Sequence, residues 1–309
     1  MNEANGNPMS RHRPGVGAAV AILFVAAAAA STGAAAVDTL KKIRDAGSIT
    51  LGYRESSVPF SFLDANRQPV GYSIDLCYKV VGALKRELKM PGLAVKLAPV
   101  TPASRIPDLL AGKIDLECGS TTNNAERRKQ VAFTVGTYIA GAKYVYKTKS
   151  NIKGIEDLAK RTVVTTQGTT TEKILRDLDT QNSMHMQILL GKDHAESFSL
   201  VAGGKAQAFF MDDILLYSLR AESGAPQDYE VSGKLLSIEP LSLMLRNDDP
   251  AFKRIVDLEV SRVIMDGEIY ALYRKWFQSP IPPKGTNLNV PMNFLLRDSF
   301  KAPSDQMYN

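Results

Sequence analysis

Residues 117–127, with the sequence ECGSTTNNAER, carry the clearest indication of the fold. The alternation of apolar and acidic residues at 114–118 predicts a β-strand, and the serine and threonines that follow predict a turn. Asn123 and Glu126 have the spacing of a capping box, which predicts that a helix begins directly after the turn. This strand–turn–helix unit is typical of α/β proteins.

Outward from this unit, predicted strands and helices alternate in both directions along the chain. The predicted strands are residues 48–53, 93–99, 114–118, 138–147, 162–166, 186–190, 208–211 and 240–246. The predicted helices are residues 38–46, 73–88, 104–111, 170–178, 194–202, 249–266 and 268–277. Such alternation predicts mainly parallel sheets that are covered by helices.

The alternation starts twice, so we expect two α/β lobes, with the second lobe inserted into the first. The expected division is lobe 1 at residues 37–138 and 242–280, lobe 2 at residues 139–241, and a tail at residues 281–309 that packs on the surface. Sheets of this kind bind ligands at the carboxyl ends of their strands, so we expect a ligand cleft between the lobes.

The first 36 residues predict a secretory signal peptide. Arg11 and Arg13 precede an apolar stretch of 15 residues at 16–30, and small residues end the segment at Ala36. A membrane anchor is the alternative, but it needs about 20 apolar residues. We therefore predict cleavage after Ala36 and export to the periplasm.

The overall charge gives no indication of nucleic-acid binding. The 309 residues include 38 Lys and Arg against 32 Asp and Glu, a net charge of +6. Acidic residues are mixed with the basic ones throughout the exported part, and no basic tract stands out. We therefore expect no nucleic-acid partner.

The two cysteines leave two possibilities open. Cys77 lies in a predicted helix and Cys118 at the end of a predicted strand. In an oxidising compartment they could form one disulfide, or they could remain two buried thiols. The sequence does not decide between these, because the pairing depends on the distance between their Cβ atoms.

The motifs of common enzyme classes are absent from the sequence. There is no G-x-S-x-G, no H-E-x-x-H and no P-loop. A metal site or a histidine-dependent triad would have to rest on His185 or His194, because the third histidine leaves with the signal peptide. We expect no cofactor, no metal and no enzymatic activity.

Polar residues at the ends of predicted strands form a candidate anion site. Arg127 falls in the first turn of its helix, where the helix dipole disfavours a cation. It is either a solvated arginine or a guanidinium that holds a carboxylate together with the hydroxyls of Ser120 and Thr122. Thr170 opens a helix and could donate to the same anion, or it could serve the helix end only. Asp212 could cap the next helix or accept from an ammonium group.

Three further residues occupy strand-to-helix positions on the expected cleft side. Arg54 ends the first strand, Arg105 opens a helix and His194 opens another. A lone histidine is more often structural than a ligand contact.

Seven motifs, in the same order along the chain, resemble those of glutamate/aspartate-binding proteins of bacterial ABC importers. They are GYRESSVPFS at 52–61, VGYS at 70–73, RIP at 105–107, DLECGSTTNN at 115–124, GTT at 168–170, KDH at 192–194 and MDD at 211–213. The resemblance extends from about residue 38 to residue 283. It implies the type II periplasmic-binding-protein fold, in which two α/β lobes close on a ligand.

The resemblance also implies how an acidic amino acid would be held. Arg127, helped by Thr122 and Thr170, would clasp the α-carboxylate of the ligand. Asp212 would take the α-ammonium group, with a contribution from Ser120.

For the ligand side-chain carboxylate, the resemblance implies contacts with Arg54, Arg105 and His194. One departure lies just before the RIP motif, where the family usually has Ser-Gln-Asn and this chain has Pro102, Ala103 and Ser104. This change removes a possible polar contact at position 102, and it bears on fine specificity.

The charges of the candidate residues favour an acidic ligand independently. Three arginines and one aspartate give a formal charge of +2 in the cleft, which would be costly to bury without a counter-charge. A dicarboxylic amino acid reduces this imbalance, and guanidinium groups suit carboxylates. We expect a monomeric receptor that delivers L-glutamate and L-aspartate to an ABC permease.

Two alternatives remain. Asparagine and glutamine could be additional ligands. A cyclohexadienyl dehydratase, which shares this fold, would need a general acid in the cleft, and Glu117 and His194 are the candidates.

Overall fold

The computed structural model describes residues 38–305, which form a mixed α/β fold. The predicted signal peptide lies outside the described residues. The strands are β1 Ser48–Tyr53, β2 Ser56–Ser57, β3 Ser61–Leu63, β4 Pro69–Val70, β5 Ala94–Pro99, β6 Leu116–Thr122, β7 Val131–Phe133, β8 Tyr138–Lys147, β9 Thr162–Thr166, β10 Gln187–Gly191, β11 Ala208–Asp212, β12 Tyr229–Val231, β13 Ser237–Arg246, β14 Pro280–Ile281 and β15 Thr286–Asn287. The helices are α1 Thr39–Ala46, α2 Tyr72–Glu87, α3 Arg105–Leu110, α4 Ala125–Arg128, α5 Thr170–Gln181, α6 His194–Ala202, α7 Asp213–Glu222, α8 Pro250–Met265, α9 Glu268–Phe277 and α10 Phe294–Ser299.

The large sheet has the strand order β10-β9-β11-β8-β13-β6-β1-β5. At one end, β1 pairs in parallel with β5 and β6, and at the other end β9 pairs in parallel with β10 and β11. Between these parallel groups, β8 and β13 run antiparallel to each other and to their outer neighbours. The expected parallel pairing is therefore present within each outer group, but the antiparallel pairings of β8 and β13 join both groups into one mixed sheet, so the sheet as a whole is not mainly parallel.

The strand β13 passes from one parallel group to the other. Its residues Ser237 to Leu241 pair with β8, whereas Leu241 and Ser242 pair with the last two residues of β6. Near this crossing, the ring of Tyr138 stacks on that of Phe277 with centroids 5.0 Å apart. Apolar packing thus extends from α9 to the start of β8.

The strand β6 is longer than the sequence predicted. The predicted strand ended at residue 118, but pairing with β13 extends β6 through Thr122. The Asn123 N–H donates to the Pro240 carbonyl oxygen, so the chain leaves the sheet only afterwards. As a result Asn124, and not Asn123, caps the following helix by accepting from the Arg127 N–H at 2.9 Å.

The two cysteines form a disulfide between α2 and β6. The S–S distance is 2.10 Å and the Cα atoms of Cys77 and Cys118 lie 6.2 Å apart, within the usual range for a disulfide. The alternative of two buried thiols is therefore excluded in this structure.

The C-terminal tail contains β14, β15 and α10, of which the sequence predicted none. Lys284 donates to the Glu222 carbonyl oxygen on α7, and Asn293 donates to the Ile139 carbonyl oxygen on β8. The side chain of Leu296 is fully buried.

Among the residues that the structure describes, no helix has both the length and the hydropathy to cross a membrane.

Candidate functional site

A small cavity lies at the carboxyl ends of β1, β6, β9 and β11. All eight residues that the sequence selected line it, together with Thr169 and Met211. The eight residues are Arg54, Arg105, Ser120, Thr122, Arg127, Thr170, His194 and Asp212. They come from both parallel groups of the sheet, so the fold joins residues that are far apart in sequence.

The Arg127 guanidinium connects the two sides of the cavity. Its Nη1 donates to the Thr122 carbonyl oxygen at 2.9 Å, and its Nη2 donates to the Gly168 carbonyl oxygen at 3.3 Å. Arg127 is buried, so the solvated alternative for this residue does not hold. Burial, followed by repulsion from Arg105, lowers the pKa of Arg127 to about 9, and the group stays protonated at neutral pH.

The Thr170 hydroxyl faces a carboxylate that the sequence analysis missed. Its Oγ1 donates to Glu239 Oε2 at 2.9 Å and lies 3.4 Å from the Thr122 hydroxyl. Glu239 Oε1 accepts from the Ser237 hydroxyl at 2.6 Å. Since the Thr170 hydroxyl proton points to Glu239, the backbone N–H of Thr170 is its remaining donor at the start of α5.

Arg105 is held through a relay of two side chains on β6. Its Nη1 donates to Thr121 Oγ1 at 2.6 Å, and that hydroxyl donates to Glu117 Oε2 at 2.7 Å. Burial lowers the pKa of Arg105, while the nearby carboxylates of Glu117 and Asp212 oppose this effect. Thr121 and Glu117 therefore orient Arg105 from inside the lobe.

The His194 ring lies between Arg54 and Thr166. Its Nε2 is 3.4 Å from Arg54 Nη2, and its Nδ1 is 3.0 Å from Thr166 Oγ1. Burial, and then the charges of Arg54 and Arg105, hold the pKa of His194 well below its usual range. The ring is therefore neutral at pH 7, and because a guanidinium can only donate, Nε2 accepts from Arg54.

Within the described residues the Asp212 side chain makes no capping hydrogen bond to the helix that follows it. Its carboxylate is buried, and the pKa is raised well above its usual range by burial first and by the charges of Glu239 and Asp213 next. The neighbouring Asp213 carboxylate instead accepts from the N–H groups of Gly141 and Ile214.

Four buried polar atoms of the lining have no hydrogen-bond partner among residues 38–305. They are Arg54 Nη1, Arg105 Nε, Ser120 Oγ and Asp212 Oδ1. Burying such atoms without a partner costs about 1–3 kcal/mol each, and more for charged groups. The cavity therefore presents two guanidinium donors, a hydroxyl and a carboxylate oxygen to any group that enters it.

The formal charge of +2 expected for the cleft is wrong for the folded protein. Two further carboxylates, Glu117 and Glu239, are 0% and 4% exposed and act electrostatically on the three arginines. Three guanidinium groups therefore face three carboxylates. Glu239 was missed because it precedes the predicted strand at 240–246, and Glu117 was weighed only as a possible general acid.

The segment that holds Pro102 and Ala103 lies in backbone contact with Gly168. A Cβ on Gly168 would lie 2.8 Å from the Ala103 Cα atom and 2.9 Å from the Pro102 carbonyl oxygen. The segment before α3 thus packs directly on the loop that precedes α5.

Among residues 38–305, no group of three or more His, Cys, Asp or Glu side chains could hold a metal ion.

Comparisons with known proteins agree on one family. A family model described as bacterial extracellular solute-binding proteins, family 3, matches residues 49–279. The chain is 46% identical over 269 residues to the L-glutamate/L-aspartate-binding protein of Pseudomonas aeruginosa, covering 87% of this chain and 89% of that protein. It is 44% identical over 275 residues to the glutamate/aspartate import solute-binding protein of Escherichia coli K12, covering 89% and 91%. A solved structure of an ancestral amino acid-binding protein, a precursor of cyclohexadienyl dehydratase, is 30% identical with a TM-score of 0.66 and covers 78% of this chain and 100% of that chain.

Proposed function

The chain belongs to the bacterial extracellular solute-binding proteins of family 3, and we propose that it captures L-glutamate and L-aspartate between its two lobes and delivers them to an ABC permease. The predicted fold class, a type II periplasmic-binding-protein fold with two α/β lobes, is confirmed by the solved structures of amino-acid-binding proteins that it resembles. The names of the two curated relatives support the choice of ligands.

The four unpartnered atoms in the cavity carry the proposal of an acidic ligand. The ligand side-chain carboxylate would accept from Arg54 Nη1 and Arg105 Nε, because both donors are buried and lack a partner among residues 38–305. The ligand ammonium group would donate to Asp212 Oδ1. An amide side chain could accept from the guanidinium groups, but its NH₂ group would then face two cations.

The α-carboxylate of the ligand would lie against Arg127. The Thr122 hydroxyl and the Thr170 N–H would donate to it, since the Thr170 hydroxyl is directed to Glu239. Ser120 Oγ would complete the ammonium contacts. His194 would act by orienting Arg54, because its Nε2 accepts from that guanidinium.

Ligand capture would proceed by closure of the lobes. We assign residues 37–138 and 242–280 to lobe 1, residues 139–241 to lobe 2 and residues 281–309 to the tail. The pairing of β13 with β8 before Leu241 and with β6 after it supports a hinge at these strands. A ligand that contacts residues of both lobes binds the closed state more tightly and so shifts the equilibrium to it.

The family description supports an extracytoplasmic location, for which we propose export by the signal peptide and residence in the periplasm as a monomer. The relationship to the precursor of a dehydratase raises a second candidate function. Glu117 hydrogen-bonds behind the arginines and His194 is a neutral acceptor, so neither offers a proton to the cavity. We therefore propose binding without catalysis, and turnover of prephenate or arogenate by the purified protein would contradict this.

Isothermal titration calorimetry with glutamate, aspartate, glutamine and asparagine tests the proposal. We expect binding of the two acids at least tenfold tighter than that of either amide. Equal binding of acids and amides, or no binding of either acid, would contradict it. Assays with the cognate permease in vesicles would test delivery.

A further inference from the structure

Glu117 is a buried carboxylate directly behind the two arginines that face the ligand side chain. It is fully buried on β6, a strand whose seven residues are all buried. Its Oε2 accepts from Thr121 Oγ1, which in turn accepts from Arg105. Within residues 38–305 its Oε1 has no hydrogen-bond partner. Charges at such a position are weakly screened by solvent.

Gly119 allows this carboxylate to approach Arg54 as well. A Cβ on Gly119 would lie 2.2 Å from Glu117 Oε1 and 2.9 Å from the Cγ atom of Arg54. Only a glycine leaves room for both side chains at this place. Glu117 is thus linked to Arg105 by a relay and acts electrostatically on Arg54.

The charges at this end of the cavity sum to one positive unit. Arg54 and Arg105 contribute two, Glu117 removes one and His194 is neutral. Asp193 also acts on Arg54, but it is half-buried and its effect is screened. Asp212 also acts on Arg105, and its charge is counted with the opposite end of the cavity. One positive unit matches the single negative charge of one carboxylate.

The opposite end of the cavity has a different composition. There, Arg127 faces the carboxylates of Asp212 and Glu239. In the proposed function this end receives the α-carboxylate and the α-ammonium groups, which are the same in glutamate and glutamine. Electrostatic discrimination between the two ligands therefore depends on the end that holds Arg54, Arg105 and the carboxylate of Glu117 behind them.

We propose that Glu117 is a specificity-determining residue, which acts through Arg54 and Arg105 and sets how strongly the site prefers a carboxylate to a carboxamide. This inference rests on the proposed function. With Glu117 present, the surplus is one unit and the closed site can be neutralised by one carboxylate. Without its charge, the surplus becomes two units. Closure around glutamine, whose side chain is neutral, then becomes less favourable relative to closure around glutamate.

The first test is Glu117→Gln, which keeps the size of the side chain and an acceptor for Thr121. The affinities of L-glutamate and L-glutamine are measured by calorimetry, with glutamine also measured by competition against glutamate. We expect the ratio of the glutamine Kd to the glutamate Kd to rise about tenfold or more. If Glu117 had a purely structural role, Glu117→Gln would lower the affinities for both ligands by the same factor. A ratio of the two Kd values within threefold of the wild type therefore overturns the inference.

Glu239→Gln is the matched control. It removes another buried carboxylate of the site, but at the end where the two ligands are identical. We expect this variant to change both affinities by a similar factor and to leave the ratio within threefold of the wild type. A rise in the ratio as large as that of Glu117→Gln would overturn the inference.

A second test requires affinity measurements with glutamate only. Arg105→Met removes the positive surplus, and Glu117→Gln in the same chain restores it. We expect the double variant to bind glutamate at least about tenfold more tightly than Arg105→Met. A double variant that binds no better than the single one overturns the inference. Failure of the wild type to bind glutamate would instead contradict the proposed function, so the two failures are distinguishable.

Discussion

The Arg127 guanidinium donates from Nη2 to the Gly168 carbonyl oxygen, 3.3 Å away on the other side of the cavity. The same loop contacts the segment before α3, because Gly168 packs against Ala103. A hydrogen bond and a backbone contact therefore connect the two sides of the cavity, both beside the proposed α-carboxylate position. Small changes at Gly168 should affect closure more than folding.

We expect Gly168→Ala to weaken glutamate binding by at least about 1.4 kcal/mol, or tenfold. Gly168 has a φ of +77°, and its new Cβ would lie 2.8 Å from the Ala103 Cα atom in this structure. Gly204→Ala is the control, since Gly204 has a φ of +74° and no atom within 4 Å of the Cβ position. Calorimetry that gives both variants the same affinity would argue against a closure contact at Gly168.

Arg105→Met should lower glutamate affinity by about 2–5 kcal/mol, the scale for removing one partner of a buried charge pair. The guanidinium is buried, and its Nε has no partner within residues 38–305. Arg246→Met is a suitable control, because Arg246 contacts the end of α3 at Leu110 but does not line the cavity. Unchanged glutamate affinity in Arg105→Met would refute the role assigned to Arg105.

The stability of the glutamate-bound protein should depend on pH through His194. The unfolded chain takes up a proton near the ordinary pKa of 6.5, whereas the folded chain resists it because its pKa lies well below that value. The free energy of unfolding should therefore fall as the pH drops below 6.5, by up to about 2 kcal/mol at pH 5, and show no such loss above 7.5.

His194→Gln isolates this contribution. Urea unfolding in saturating glutamate should give a smaller loss between pH 7.5 and pH 5 for His194→Gln than for the wild type. His185→Asn removes an exposed histidine and should keep the wild-type dependence. If all three proteins lose the same free energy, His194 is not responsible.

Loss of the disulfide should destabilise the protein without changing its overall fold. Replacing Cys77 and Cys118 by alanine frees a loop with a sequence separation of 41, and we expect a loss of about 2–4 kcal/mol in the free energy of unfolding. Reductant should destabilise the wild type and leave the double variant unaffected. Alkylation of the wild type without reductant, detected as a mass shift, would show that the bond is not formed in solution.

The positions of the eight cavity residues could be predicted because each lies at or near the end of a strand or the start of a helix. Parallel strands present these ends at one edge, so local pattern was sufficient to bring the residues together. The direction of their hydrogen bonds could not be predicted in this way. The Thr170 hydroxyl is directed to Glu239, a residue 69 positions away, through the register of β13.

The differences in the fold have a similar cause. A cluster of Gly, Ser, Thr and Asn favours a loop locally, yet Thr121 and Thr122 extend β6 because β13 offers them partners. The tail lacks periodicity, yet Leu296 is buried against the rest of the chain. In both places, contacts with distant parts of the chain override the local preference.

The strand β6 has a consequence for any attempt to change what this receptor recognises. Its seven residues are all buried, and they include a disulfide partner, the carboxylate of Glu117 and the cavity residues Ser120 and Thr122. Recognition is therefore built into the interior of a lobe and not into an exchangeable surface loop. An engineered sensor for a different amino acid would need its interior and its binding chemistry redesigned together.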